Sequence, residues 1–450
     1  MTSVVLGRYS IHIIMAGKKN SAPTKFSGKR GATSSLRTTR NQKLDPQQNP
    51  KQEIEDSESE EELKRQQILL NIFSDTFRDV LEAEDFSAQL QEVKAALFNR
   101  DFEGAFAREA ALDVYAARWS PTRALCYGQV LRGLDSHLSN LTGVNSHHNA
   151  EDNDSHKGGD EFETRGSSTH HGESALDEKT RDAVLDELGG STAAIQQGDG
   201  EREGNDKVLR ILAIGGAAAE IVAFADYISS HNASTISTRA EITLLDVGPW
   251  ASVVQRLQTA LTTTPPISRY ASAAAREANK PLTSPQHFQS SFAQKDILSL
   301  SEGELSELIA GRDNSPVLIT LLFTLNELYT TSGIKRTTSF LRLLSSIARS
   351  GTLLLVIDSP GSYSEAAVGK EAKRYPMQWL LDHTLLDSSR PRRRTAENDV
   401  EQGKAEKSEQ RWEKIESNDS VWFRVAEGLR YPISLENMRY QMHLYRACSS

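Results

Sequence analysis

Four short stretches place chemistry-bearing residues directly after apolar runs. "LRILAIGGAAAE" runs into a small-residue turn at Gly215, Gly216 and Ala217. "ITLLDVGPW" ends in Asp246, "KDIL" carries Asp296, and "FTLNELYTTS" puts Asn326, Glu327 and Tyr329 behind an apolar segment. Glycines at such a turn let the backbone approach a ligand and leave N–H groups free at a helix start. A carboxylate at Asp246 can accept both hydroxyls of a ribose, each charged hydrogen bond contributing roughly 1.5–3 kcal/mol. Asp296 can accept from an adenine amino group. Asn326 can fix an amine or imide edge, Glu327 can take a proton, and Tyr329 can stack on a flat base. The plainer readings are a strand-to-helix corner for the glycines, surface turns for the aspartates, a helix N-cap for Asn326 and a buried core ring for Tyr329. A second turn, "DSPGSY" from Asp358 to Tyr363, is expected to line the acceptor pocket.

Two cofactors fit this order of residues. A dinucleotide fingerprint needs a third glycine and an acid about 20 residues on, whereas Ala219 takes one of the small-residue places and Asp246 lies farther away. S-adenosylmethionine has no pyrophosphate, so it does not need the full phosphate-cradling turn. The looser turn favours the sulfonium cofactor, and a dehydrogenase on the same fold is the alternative.

Such residues work only if strand ends converge. Apolar runs rich in Val, Ile and Leu at 208–214, 241–245, 292–297, 317–323 and 352–357 have the length of buried parallel strands and alternate with helical stretches. Two more runs, 421–425 and 441–446, complete seven. The expected fold class is α/β, a doubly wound, Rossmann-like seven-stranded sheet, mostly parallel with an antiparallel last strand, because the final connection is too short for a crossover helix. A helical region, 62–142, precedes it: Leu69, Ile72, Phe73, Phe77, Val80 and Leu81 recur at three and four residues, and Phe86, Leu90, Val93 and Leu97 repeat the device. "RWSP" supplies a helix start, with Ser120 as N-cap and Pro121 at the first helical position.

The rest of the 450-residue chain is polar. Residues 1–61 read as a disordered arm, basic then acidic, and 143–206 as a disordered acidic insert; a second disordered loop is expected at about 388–418 within the domain spanning 207–450. The net charge of −9 is local, because 151–206 alone carries −11 while the first 51 residues hold ten Lys and Arg against Asp45. A basic arm of that kind suits phosphates or an import receptor. Nuclear entry is expected, with a mitochondrial transit peptide as the alternative. The apolar run at 4–15 is broken by Arg8 and His12 and is too short for a membrane span, and Met15 is a candidate start. Cys126 and Cys448 cannot build a disulfide framework or a zinc site. No metal is expected, and His147-His148 and His170-His171 read as solvated low-complexity histidine.

"ARWSPTRALCY", "LAIGGAAAE", "LITLLFTLNELY", "LLLVIDSPGSYSE", "YPMQWLLDHTLL", "VWFRV" and "YPISLENMRYQMHLYR" together resemble the fungal 25S ribosomal RNA uridine-N3 methyltransferase family. The resemblance covers most of the chain from residue 62 onward, outside the polar inserts. It implies S-adenosylmethionine as cofactor, large-subunit rRNA or a pre-ribosomal particle as partner, work in the nucleolus or nucleus, and Gly215, Gly216, Asp246, Asn326 and Glu327 as the positions of the family motifs; beside them, the residues themselves put Ala217 and Asp296 among the cofactor contacts and Tyr329 among the catalytic residues. The cradle departs from the family in having Ala217 and Ala219 where more glycine is expected. Arg118 with Trp119, Arg123 and the "RPRRR" loop are candidate RNA contacts, although "RWSP" can equally tie the helical region to the sheet. A non-catalytic assembly factor and a methyltransferase with another acceptor are the remaining alternatives.

Overall fold

The structure is a computed structural model that describes residues 50–142, 207–231, 238–310, 315–361, 365–368, 373–386 and 411–449. The doublets at His147 and His170, most of the arm, the acidic insert and the "RPRRR" loop lie outside the described residues. All described residues belong to one compact unit.

Seven helices come first: α1 (Pro50–Thr76), α2 (Arg78–Leu81), α3 (Phe86–Phe98), α4 (Phe102–Phe106), α5 (Glu109–Arg118), α6 (Ser120–Gly133) and α7 (Asp135–Leu141). The alternating part follows as β1 (Lys207–Ile214), α8 (Ala218–His231), β2 (Thr238–Asp246), α9 (Ala251–Thr262), α10 (Ala273–Ala278), β3 (Phe288–Gln294), α11 (Glu302–Ala310), β4 (Leu318–Leu322), the short α12 (Leu325–Glu327), α13 (Ile334–Ile347) and β5 (Leu353–Asp358). A small hairpin, β6 (Glu365–Val368) and β7 (Lys373–Pro376), leads to α14 (Met377–Leu385), and β8 (Arg411–Phe423) and β9 (Met438–Cys448) close the chain.

The main sheet has the order β3-β2-β1-β4-β5-β9-β8. The first five strands are parallel, and β9 inserts antiparallel between β5 and β8. Strand order reverses between β1 and β4, which opens a crevice at their carboxyl ends. Strand periodicity assigns the two faces. Leu209, Ile211 and Ala213 of β1 and Leu353, Leu355 and Ile357 of β5 join a core shared with α8, α9 and the N-terminal helices. Leu212, Ile214, Leu354 and Val356 point the other way, into a core shared with α11, α13 and α14. In α13, Thr337, Phe340, Leu341 and Leu344 mark the buried stripe at helical spacing.

Packing between the helical region and the sheet is reinforced by charge. Asp226 of α8 is 1% exposed and accepts from Arg132 at 2.8 Å, with Arg65 at 3.5 Å. Glu62 completes the group by pairing with both arginines. Arg118 is buried against Glu436, and Tyr431 donates its hydroxyl hydrogen to the Ala117 carbonyl at 2.7 Å. "RWSP" therefore ties the helices to the β8–β9 hairpin.

Four sequence expectations shift. Helix α1 begins at Pro50, inside the stretch read as an arm, because acidic and polar helix formers carry it out from the apolar part. Ser120 is the first residue of α6 rather than its N-cap, which falls on Trp119. Strand β3 ends at Gln294, so Asp296 lies past it; the polar "FQSSFAQ" hides an outer strand that carries few apolar residues. Strand β8 begins at Arg411, within the expected 388–418 loop. Its charged residues belong to an edge strand with two register shifts, a composition that keeps a free edge soluble.

Candidate active site

The crevice between β1 and β4 holds a cavity of about 560 Å³, within the usual range for small-molecule sites. Its floor is the β1–α8 turn. Gly215 has φ +68°, the left-handed region that favours glycine, and its N–H donates to the Leu245 carbonyl at 2.7 Å, clamping the β1 and β2 ends together. A Cβ at Gly215 would lie 2.3 Å from Thr324 Oγ1, so the position has no room for a side chain. Gly216 does not line the cavity; it faces inward, where a Cβ would meet Ala213 Cβ at 2.7 Å. Ala217 does line it, and its N–H donates to Glu220 Oε2 at 3.0 Å. The helix start is therefore already occupied by a carboxylate, which repels a pyrophosphate and suits a cofactor that has none.

Asp246 follows as the end of β2, lining the cavity and accepting from Gly248 N–H at 2.7 Å. Burial pushes its carboxyl up to about 6, partly offset by the donors of Gly248, Trp250 and Val247. Asp296 also lines the cavity, but its Oδ1 accepts from Leu298 N–H at 2.9 Å, capping a short 3₁₀ turn, and Arg336 lies 3.5 Å from its other oxygen.

The β4 end carries an unusual backbone. Phe323 has φ +60°, rare for a residue with a side chain and costing on the order of 1–3 kcal/mol. Its N–H is held by the Ile357 carbonyl at 2.7 Å. Asn326 N–H donates to Asp358 Oδ2 at 2.9 Å and Ser359 N–H to Asp358 Oδ1 at 2.8 Å, so Asp358, 2% exposed, fixes the turn after β4. The effect of this turn is to put Glu327 on the cavity wall. Burial, then the charges of Asp246 and Asp358, push the Glu327 carboxyl up to about 8, against the pull of Arg123.

Asn326 and Tyr329 stand apart from that wall. Neither lines the cavity, and Tyr329 is 2% exposed within the core beneath α13 and α14. A helical step turns the residue two places after Glu327 toward the protein interior, so its ring offers no face to a base. Asp358 is likewise interior, and Ser362 and Tyr363 lie outside the described residues.

The opposite wall comes from the helical region. Phe102, Phe106 and Tyr115 line the cavity with Trp250, and Phe106 meets Tyr115 edge-on at 5.0 Å while Trp250 lies 5.9 Å from Tyr115. Arg123 lies in the cavity rather than on an RNA-facing surface: its guanidinium donates to the Tyr115 hydroxyl and stacks 4.7 Å from the Phe323 ring centroid. Glu220, Trp250, Phe323 and the aromatic wall line the cavity without having been expected from the sequence. Glu220 was signalled by its place three residues after Ala217, the spacing of a capping carboxylate, and Trp250 by its place four residues after Asp246. Nothing local signals that α4 and α5 fold over the strand ends.

Among the described residues no group of His, Cys, Asp and Glu is arranged to hold a metal ion, and no helix is long and apolar enough to cross a membrane. The geometry fits an adenosyl-amino acid: a crowded glycine turn, a carboxylate at the end of β2, an aromatic wall and the Arg123 cation.

The chain is 26% identical over 402 residues to the 25S rRNA (uridine(2843)-N(3))-methyltransferase of Saccharomyces cerevisiae, covering 84% of this chain and 85% of the yeast protein. Among solved structures, a SAM-dependent methyltransferase from Methanosarcina mazei is 11% identical, with a TM-score of 0.29, covering 54% of this chain and 93% of its own. Human N-acetylserotonin methyltransferase, solved with SAM, is 12% identical, with a TM-score of 0.23, covering 53% and 48%. The family described as "Putative SAM-dependent methyltransferase" matches residues 73–446, and with most of its length inside that match the chain belongs to this family of S-adenosylmethionine-dependent methyltransferases.

Proposed function

We propose that this chain methylates N3 of a uridine in large-subunit ribosomal RNA, and that it does so in the nucleus or nucleolus. The name of the yeast relative and the resemblance of the sequence motifs support the substrate, and the basic first 51 residues support the location. The observation that carries the chemistry is Glu327, a carboxyl held near 8 on the wall of the cofactor cavity.

When bound, S-adenosylmethionine supplies an electrophilic methyl group. Asp246 would hold the ribose hydroxyls, Gly215 and Ala217 would let the amino-acid portion lie against the backbone, and Asp296 would mark the adenine end. Uracil N3 carries a proton and has no available lone pair until that proton leaves. Glu327 would accept it, and a carboxyl near 8 is better matched to a weakly acidic imide than one near 4.5. Asn326 would act through the backbone, because the hydrogen bond from its N–H to Asp358 sets the turn that aims Glu327. Phe323 and the aromatic wall exclude water from the transfer.

The test is nucleoside analysis of large-subunit rRNA from cells lacking the protein. A missing 3-methyluridine, restored by the purified chain with S-adenosylmethionine, is the expected result. Unchanged 3-methyluridine overturns the reading and leaves an assembly factor or another acceptor.

A further inference from the structure

The cofactor of this family carries a carboxylate, and most of the ionisable side chains around the cavity are acids, which cannot pair with it. Glu103, Glu220, Asp246, Asp296 and Glu327 all line it. The first turn of α8, where a backbone anion site is usual, is filled by Glu220 Oε2. Lys295 lies at the wall but is paired with Glu304 at 3.2 Å. Arg123 is different. It lies on the cavity wall, one guanidinium nitrogen donates to Tyr115, and no carboxylate among the described residues lies within ion-pair distance of it.

We infer that Arg123 is the receptor for the methionine carboxylate of the cofactor, so that helix α6 of the N-terminal region completes a site otherwise built on strand ends. The guanidinium is held in place before any ligand arrives, by the Tyr115 hydroxyl on one side and the Phe323 ring 4.7 Å away on another. A planar fork fixed in that way matches a carboxylate with two parallel hydrogen bonds. The same placement accounts for the positive φ of Phe323, since the left-handed turn puts its ring under Arg123. The alternative role, a counter-charge that merely balances Glu220 and Glu327, acts on the adenosine portion and the amino-acid portion of a ligand alike.

The inference rests on the family's cofactor, and titration calorimetry separates the two. S-adenosylhomocysteine, its decarboxylated form that keeps the ammonium, and 5′-methylthioadenosine, which lacks the whole amino-acid portion, are each bound to the wild type, Arg123→Met and Arg123→Lys. In the wild type, decarboxylation should weaken binding by about 10- to 100-fold. Arg123→Met should weaken S-adenosylhomocysteine by a similar factor and leave 5′-methylthioadenosine within about threefold, which also reports that the variant is folded. Arg123→Lys should fall between, because a point charge replaces the fork. Equal losses for all three ligands, or a decarboxylated ligand that binds the wild type as well as its parent, overturns the role of Arg123. If Arg123→Met does not fold, the wild-type comparison decides alone. A wild type that binds none of the three overturns the cofactor assignment and the inference with it.

Discussion

Glu327 and Gly215 carry the sharpest consequences of the site. With its carboxyl near 8, Glu327 is mostly protonated at neutral pH and becomes a base as pH rises. Single-turnover methylation by the free enzyme should therefore climb with pH and level off above about 8. Glu327→Gln should lose about 10²–10⁴ of the rate and the dependence on this group, while still binding S-adenosylhomocysteine. Retention of the parental rate in that variant ends the base assignment. At Gly215, an added methyl group would sit 2.3 Å from Thr324 Oγ1 in a left-handed backbone. Gly215→Ala should lower Tm and abolish calorimetric cofactor binding together, because the side chain it would displace, Thr324, itself lines the cavity. Asp246 and Glu327 were legible as residues at the cavity because one ends the apolar run of β2 and the other lies in the turn just after β4. Tyr329 was misleading for the same reason. Two residues beyond Glu327 it is equally close in sequence, and only the direction of the helical turn decides that it points into the core.

Strands β4, β5 and most of β1 were legible to within a few residues because both of their faces are buried, which forces continuous apolar runs, and β2 was legible from the apolar residues of its single buried face. The outer strands β3 and β8 were displaced or shortened in the reading, since an edge needs little apolar sequence. Between helices, the Asp226 group is the joint that sequence could not show: Arg65 and Arg132 lie far away in the chain and converge on one carboxylate. Asp226→Ala should cost about 3 kcal/mol, since it leaves two arginines partly buried against each other. Urea unfolding followed by tryptophan fluorescence measures it, and a change under about 1 kcal/mol would show that apolar packing alone holds α1 and α6 on α8.

The whole molecule concentrates buried acids around one cavity. Burial raises Glu220 to about 7, Glu327 to about 8, and Asp246 and Asp358 to about 6. All four hold their protons more tightly in the folded apo protein than in the unfolded chain. Their contribution to stability is therefore full below about pH 4 and lost as pH rises through 6 to 8. Apo Tm should fall over that interval, and Glu327→Gln should flatten the upper part of the fall. S-adenosylmethionine, a net cation, should raise Tm more at pH 8 than at pH 6, whereas S-adenosylhomocysteine, lacking the sulfonium charge, should show less of this difference. Thermal shift measurements across the range decide it, and a cofactor effect independent of pH would mean that the acids do not sense the ligand's charge. The sequence by itself determined the alternating architecture and the carboxylate at the end of β2, and favoured a sulfonium cofactor over a dinucleotide, because periodicity, strand-end position and turn composition are local properties of a chain. Only the tertiary structure decided that Arg123, Tyr115 and Phe106 belong to the cavity, that Glu220 seals the helix start, and that Tyr329 does not face the site. Those facts depend on which way a side chain points and on helices far upstream folding over the strand ends, and a linear pattern contains neither.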